Sequence, residues 1–148
     1  MTSEKINYTV VKKWPTQEIV DLYSSAGWWK ESSAARDAIP QIITGSFCFM
    51  VATIYDSQKH CEHAIGMGRT LSDGVSDAYI QDLVVLKEYR KFGIGKILTE
   101  KLTNYCQERG IVWIGLIAEP NTSSFYEKIG YKVIPQFIPM RFPTRELP

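Results

Sequence analysis

Cysteine is scarce in this chain: Cys48, Cys61 and Cys106 are the three present among 148 residues. Their number is odd and none stands in a CxxC or Cys/His ligand spacing, which argues against both a disulfide framework and a zinc site. The chain also lacks an apolar run of the roughly 18 residues that a membrane-spanning helix needs, and it shows no secretory leader. Membrane association is therefore not expected, and the expected location is cytoplasmic. Charge of one sign is missing too. Lysine plus arginine count 17 against 16 for aspartate plus glutamate, with no long run of either, so binding to nucleic acid through bulk charge is not indicated. The small group His60, Cys61 and His63 lies in a hydrophilic connection and reads as a solvated hairpin turn, so no metal is expected.

What is present is ordinary globular composition, 45% hydrophobic and 22% charged, in a chain long enough for one sizeable core. A single domain over 1–148 is expected. Ile6 to Val11 alternates as a first strand. Thr16 reads as the cap of a helix whose apolar residues, Ile19, Val20, Leu22 and Tyr23, follow at helical spacing until Gly27. Trp28 and Trp29 come next; adjacent tryptophans face different ways, so one packs and the other is free to line a cleft. A second short helix is expected from Ser32 to Ile39, stopped before Pro40. Strongly apolar strand residues run from Ser46 to Tyr55, a polar turn from Asp56 to Glu62, and a further strand from Ala64 to Thr70, thinned by Gly66 and Gly68. These predict an antiparallel meander leading into the next segment.

That segment carries the chemistry. Tyr79-Ile80 and Leu83-Val84-Val85-Leu86 are apolar on both faces and suit a central strand, but Gln81 and Asp82 interrupt it. A carboxylate there either accepts hydrogen bonds from its surroundings or opens onto a cleft. Ile97, Leu98, Leu102, Tyr105 and Cys106 then fall on one side of a helix that Gly110 ends. Strand and helix meet at Arg90-Lys91-Phe92-Gly93-Ile94-Gly95, where two glycines let the backbone turn and leave N–H groups at a helix N-terminus. Such a turn suits an anion, and Arg90, Lys91 and Lys96 add positive charge beside it. The spacing lacks the third glycine of a dinucleotide fingerprint and the Gly-Lys-Ser/Thr ending of a P-loop.

Further on, Ile111 to Ala118 is an apolar run read as a buried strand parallel to Ile80–Leu86. Glu119-Pro120-Asn121-Thr122 caps a brief helix through Ile129. Tyr131 to Ile134 and Phe137 to Phe142 are then expected as two closing strands around Pro135. The whole predicts an α/β fold: a mixed, mostly antiparallel sheet of six to seven strands flanked by about four helices.

Arg90-Lys91-Phe92-Gly93-Ile94-Gly95 after a hydrophobic strand resembles motif A of the GNAT superfamily, the acyl-CoA-dependent N-acetyltransferases, with its Arg/Gln-x-x-Gly-x-Gly/Ala pattern. Phe125-Tyr126-Glu127-Lys128-Ile129-Gly130-Tyr131 resembles the family's later Phe/Leu-Tyr-Glu-x-x-Gly-Phe block. The two are separated by one helix and one strand, as in that family, and the resemblance covers about Ala64 to Val133. Tyr79 to Gly95 and the Phe125 block are also similar to the small glucosamine-6-phosphate acetyltransferases.

The resemblance implies direct acetyl transfer from acetyl-CoA to an amine. It implies that main-chain groups of Leu83, Val84 and Val85 face the thioester, and that N–H groups from Lys91 through Phe92, Gly93, Ile94 and Gly95 to Lys96 hold the pyrophosphate. Arg90 takes the motif's first position, with a role in supporting the loop, and Asn121 is a further cofactor candidate. Tyr126 matches the tyrosine that protonates the departing thiolate. Asp82 is the candidate general base, with Glu119 or a water relay as alternatives. Trp28, Trp29 and Gln81 are candidates for the acceptor wall. The acceptor is expected to be an amine, a small one before a protein one, and a homodimer is a candidate assembly. The rival reading is a CoA-binding sensor of the same fold without useful turnover.

Overall fold

The structure, a computed structural model, describes residues 5–143. Its elements run β1 (Asn7–Val10), α1 (Thr16–Ser25), α2 (Ser33–Gly45), β2 (Cys48–Asp56), β3 (Cys61–Ser72), β4 (Asp77–Val85), α3 (Ile94–Gln107), β5 (Trp113–Leu116) and α4 (Ser123–Glu127), with a 3₁₀ turn at Lys87–Tyr89. The chain forms two compact units that meet in sequence between Leu116 and Ile117. No described helix is long and apolar enough to cross a membrane.

The first unit holds a five-stranded sheet in the order β1-β2-β3-β4-β5. All neighbours are antiparallel except β4 and β5, which are parallel. Successive residues of a strand face opposite sides, and β3 shows why this matters. Met67 joins Phe49, Val51 and Val84 in the core that the buried residues of α1 and α2 complete. Gly66 and Gly68 face the other side, where a Cβ on Gly68 would come 2.7 Å from Leu102 and one on Gly66 3.3 Å from Leu98. Both leucines belong to α3 and are fully buried. The two glycines that thin the strand are thus what lets α3 lie close against the sheet.

Several sequence expectations are corrected. The sheet has five strands among the described residues, and neither Tyr131–Ile134 nor Phe137–Phe142 forms one. Pro135 and Pro139 remove two ladder donors there, and Gln136 takes a φ of +66°. The α2 helix does not stop before Pro40 but runs through it to Gly45. An internal proline costs about 3 kcal/mol, and burying Ile39 and Ile43 one turn apart offsets it at about 1.5–3 kcal/mol each. Thr16 is the first helical residue of α1, while Pro15 holds the cap position with no side-chain cap. The strand expected at Ala64–Thr70 extends over Cys61–Ser72, and the one expected at Ile111–Ala118 narrows to Trp113–Leu116. It runs parallel to β4 as expected, but its pairing covers Asp77–Ile80 and ends there, with consequences for the site.

Candidate active site

β4 is two strands in one. Ala78 to Ile80 pair with β3 on one side and β5 on the other, whereas residues after Ile80 have no β5 partner. The change happens at a bulge. Arg69 faces Gln81 and Met67 faces Val84, so Gly68 alone stands opposite both Asp82 and Leu83, and the extra residue bends the strand. Asp82 carries the strain as an L residue at φ +54°; aspartate is among the few residues that tolerate this region. Leu83, Val84 and Val85 lie just past the bend, with the main chain on their β5 side unclaimed by the sheet.

From there Leu86 donates its N–H to Ile65 O at 2.8 Å, and the 3₁₀ turn leads to the glycine turn. Arg90 is tied to main chain: its Nε donates to Val85 O at 2.9 Å and Nη2 to Ser25 O at 3.5 Å. That arrangement braces the turn against the end of β4. Lys91 (φ +70°) and Gly93 (φ +79°) are both left-handed, and a Cβ on Gly93 would meet nothing within 4 Å. Gly93 is needed here for conformation rather than for space. It caps α3, whose first N–H groups, at Ile94, Gly95 and Lys96, have no acceptor within the helix. Phe92 and Lys96 are exposed, and Lys96 stands 3.8 Å from Glu100. The turn therefore presents main-chain donors, the positive end of the helix dipole and lysine charge on an open surface, a set that fits a pyrophosphate.

Behind the bulge is a polar and aromatic cluster. Asp82 Oδ2 accepts from Tyr23 Oη at 2.8 Å and from Arg69 Nε at 2.6 Å. Arg69 Nη2 also donates to Gln81 Oε1 at 3.5 Å. The Tyr23 ring stacks on Trp29 with centroids 6.3 Å apart and meets Trp28 at 6.4 Å. Burial first, then the neighbouring Asp82 charge, pushes the Tyr23 phenol well above its usual range. Asp82, Gln81, Trp28 and Trp29 are thus brought together. Tyr23 and Arg69 were missed from sequence. Tyr23 sits on the apolar face of α1 and looks like plain core. Arg69 did leave a signal, since a lone charge within a buried strand calls for a carboxylate on the next one.

The second unit begins at Ile117. Its helix α4 carries Tyr126, whose ring packs edge-on to Phe125 (5.0 Å) and Tyr131 (6.2 Å). Burial, and then the charges at Glu119 and Tyr131, raise the Tyr126 phenol above its ordinary value, so it stays protonated. Thr122 Oγ1 donates to Glu119 O at 2.7 Å, closing the turn into α4. Asn121 is exposed in that turn at φ +64°. Among the described residues no three His, Cys, Asp or Glu side chains converge as a metal site. His63 is 3.3 Å from Glu18, and Cys61 is free and exposed.

Residues 15–131 match the model of the Acetyltransferase (GNAT) family. The chain belongs to the GNAT family. That match takes in both units, with the glycine turn and the Tyr126 block inside it. Among curated GNAT relatives, a chloroplastic GCN5-related N-acetyltransferase 2 of Arabidopsis thaliana is 38% identical over 84 residues, 56% of this chain and 33% of that protein. An uncharacterized N-acetyltransferase, ycf52, of Pyropia yezoensis is 34% identical over 114 residues, 77% of this chain and 63% of its own length. The matched stretch thus covers less than two thirds of either relative. A GNAT-family acetyltransferase from Streptococcus pneumoniae TIGR4 superposes with a TM-score of 0.75 at 23% identity, over 96% of this chain and all (100%) of that one. AAC(6')-Iy, solved with the bisubstrate analog CoA-S-monomethyl-acetylneamine, superposes with a TM-score of 0.72 at 14% identity, over 95% and 99%. At such identities the structures establish the shared fold.

Proposed function

We propose that this GNAT chain is an acetyl-CoA-dependent N-acetyltransferase that moves the acetyl group directly to an amine. The observation that carries the reading is the pairing of an opened half of β4 with a braced, glycine-bearing helix start. Leu83 to Val85 offer main-chain groups for the thioester end of the cofactor, and Lys91 to Lys96 offer donors for its pyrophosphate. The amine nitrogen attacks the thioester carbonyl carbon, the C–S bond breaks, and the thiolate takes a proton from the Tyr126 hydroxyl. The amine gives up its own proton to Asp82, to Glu119 or through water. Proximity and carbonyl polarisation supply most of the rate, and no acyl-enzyme forms. Trp28, Trp29 and Gln81 form the acceptor wall, and a small amine is the acceptor class. Asn121 is assigned a lesser cofactor contact.

Calorimetric titration with acetyl-CoA tests the reading, and no detectable binding at millimolar ligand rejects it. The second reading, a CoA-binding sensor without turnover, is favoured by one observation: Asp82 is already occupied by Arg69 and Tyr23. Thiol release across an amine panel separates the two, because a sensor binds CoA yet releases no thiol above background. A homodimer belongs to the first reading, supported by the largely exposed Phe137, Ile138, Met140 and Phe142, more apolar surface than a lone soluble chain usually presents in one stretch.

A further inference from the structure

One left-handed residue of the site is tethered from two other elements. Asp82 is an L residue at φ +54° inside a strand. Its carboxylate gathers donors from two other elements, the hydroxyl of Tyr23 in α1 and the guanidinium of Arg69 in β3, both on Oδ2. The Arg69 and Asp82 side chains are 15% and 24% exposed, so this pair is mostly withdrawn from water and each partner depends on the other. A left-handed residue persists in a strand only where its surroundings over-determine it. Here the surroundings are those two hydrogen bonds, together with Gly68, whose missing side chain gives the two-residue side of the bulge its room.

We propose that Asp82 is a positioning residue, a latch that ties the β4 bulge to α1 and β3 and so presets the main chain of Leu83–Val85 for the thioester. The inference rests on the transferase reading for its purpose, but the latch itself is a property of the protein without ligand. Its geometry explains two features together. Pairing with β5 stops at Ile80, two residues before the latched torsion, and Leu83 begins immediately after it. The same oxygen anchors Tyr23, whose ring supports Trp28 and Trp29. One carboxylate thus sets both the cofactor-facing strand and the aromatic wall proposed for the acceptor, and the two are coupled through it. Gln81 adds a third tie through Arg69.

Three variants and two measurements test the latch. Asp82→Asn removes the charge that Arg69 pairs with, Tyr23→Phe removes a single hydroxyl and is the mildest change, and the double variant joins them. Amide hydrogen exchange on the ligand-free protein is read at Leu83–Val85, with Val51–Thr53 of β2 as an internal reference. The latch predicts exchange at Leu83–Val85 about tenfold faster in Asp82→Asn and a few-fold faster in Tyr23→Phe, with β2 unchanged. The double variant should match Asp82→Asn alone, because both changes break one unit. Unchanged exchange at Leu83–Val85, or acceleration of β2 by the same factor, overturns the latch, whether or not acetyl-CoA binds. Titration with acetyl-CoA and pH profiles of kcat and KM give the second readout. A latch weakens acetyl-CoA binding about tenfold in Asp82→Asn, raises the acceptor KM and leaves the shape of the kcat profile intact. Full acetyl-CoA affinity with a lost limb in the kcat profile makes Asp82 a base and overturns the positioning role. A wild-type protein that binds no acetyl-CoA defeats the transferase reading, while the exchange comparison still decides the latch.

Discussion

The residues before Leu116 and those after Ile117 use apolar side chains in opposite ways. In the first unit Phe49, Ile65, Met67 and Leu98 are fully buried, between two faces of one sheet and the helices that cover them. In the second, Phe137 is 76% and Met140 91% exposed, and among the described residues the one regular element is the five-residue α4. Tyr126 is the partial exception, half-buried in an aromatic group of its own with Phe125 and Tyr131. Fold stability and proposed proton delivery therefore reside in different parts of the chain. The first unit builds the sheet and carries the proposed cradle; the second holds the Tyr126 phenol and the exposed apolar residues Phe137, Ile138, Met140 and Phe142.

The contrast between the two units should show most strongly at Phe49. Phe49→Ala should cost about 3–5 kcal/mol, the usual result of emptying a close-packed aromatic site, read as a lowered urea midpoint. Tyr126→Phe should leave the unfolding midpoint nearly unchanged and lower kcat by about a hundredfold, as expected for loss of a general acid, with little change in acetyl-CoA affinity. Equal losses in kcat and affinity would make Tyr126 a binding residue instead. The protonated phenol is the active form and its affinity for that proton is raised, so the alkaline fall in kcat should lie above pH 10 and disappear in Tyr126→Phe.

Gly68→Ala probes the first unit at finer grain. A Cβ 2.7 Å from Leu102 and 3.1 Å from Leu83 forces both leucines to shift and should cost about 1–3 kcal/mol. Because Leu83 follows the bulge, acetyl-CoA affinity should fall with it, which an alanine at a purely structural glycine would not cause. The smallest effect is expected at Phe137→Ala. At low protein concentration it should change stability by no more than about 0.5 kcal/mol, as for other exposed positions. A loss as large as that of Phe49→Ala would show that the tail is covered in solution, and light scattering would then report a dimer.

Much of this was legible in the chain. The strand that becomes β4, the helix beginning at Ile94, the glycine turn between them and the parallel β5 all follow from local patterning, because hydrophobic period and turn chemistry are local properties. The Gln81-Asp82 interruption was visible as polar residues within an apolar strand, but not its geometry. A bulge depends on the register with β3, and the position opposite, Gly68, is 14 residues upstream. Misreadings arose where tertiary burial outweighed a local rule. Pro40 should stop a helix, yet Ile39 and Ile43 carry α2 through it. The residues after Tyr131 have the composition of strands, yet their prolines and the absence of a described partner strand leave them irregular.

By itself, then, the sequence determined the family, through motif residues Arg90, Gly93 and Gly95 and the Tyr126 block, and the order of most elements. The tertiary structure alone decided which groups Asp82 meets. Tyr23 lies 59 residues away and Arg69 13 residues away in the chain, and no local pattern links them. Their meeting depends on α1 packing across β3 and β4, and it turned a polar interruption into a tethered bend where pairing with β5 ends and the proposed cofactor cradle begins.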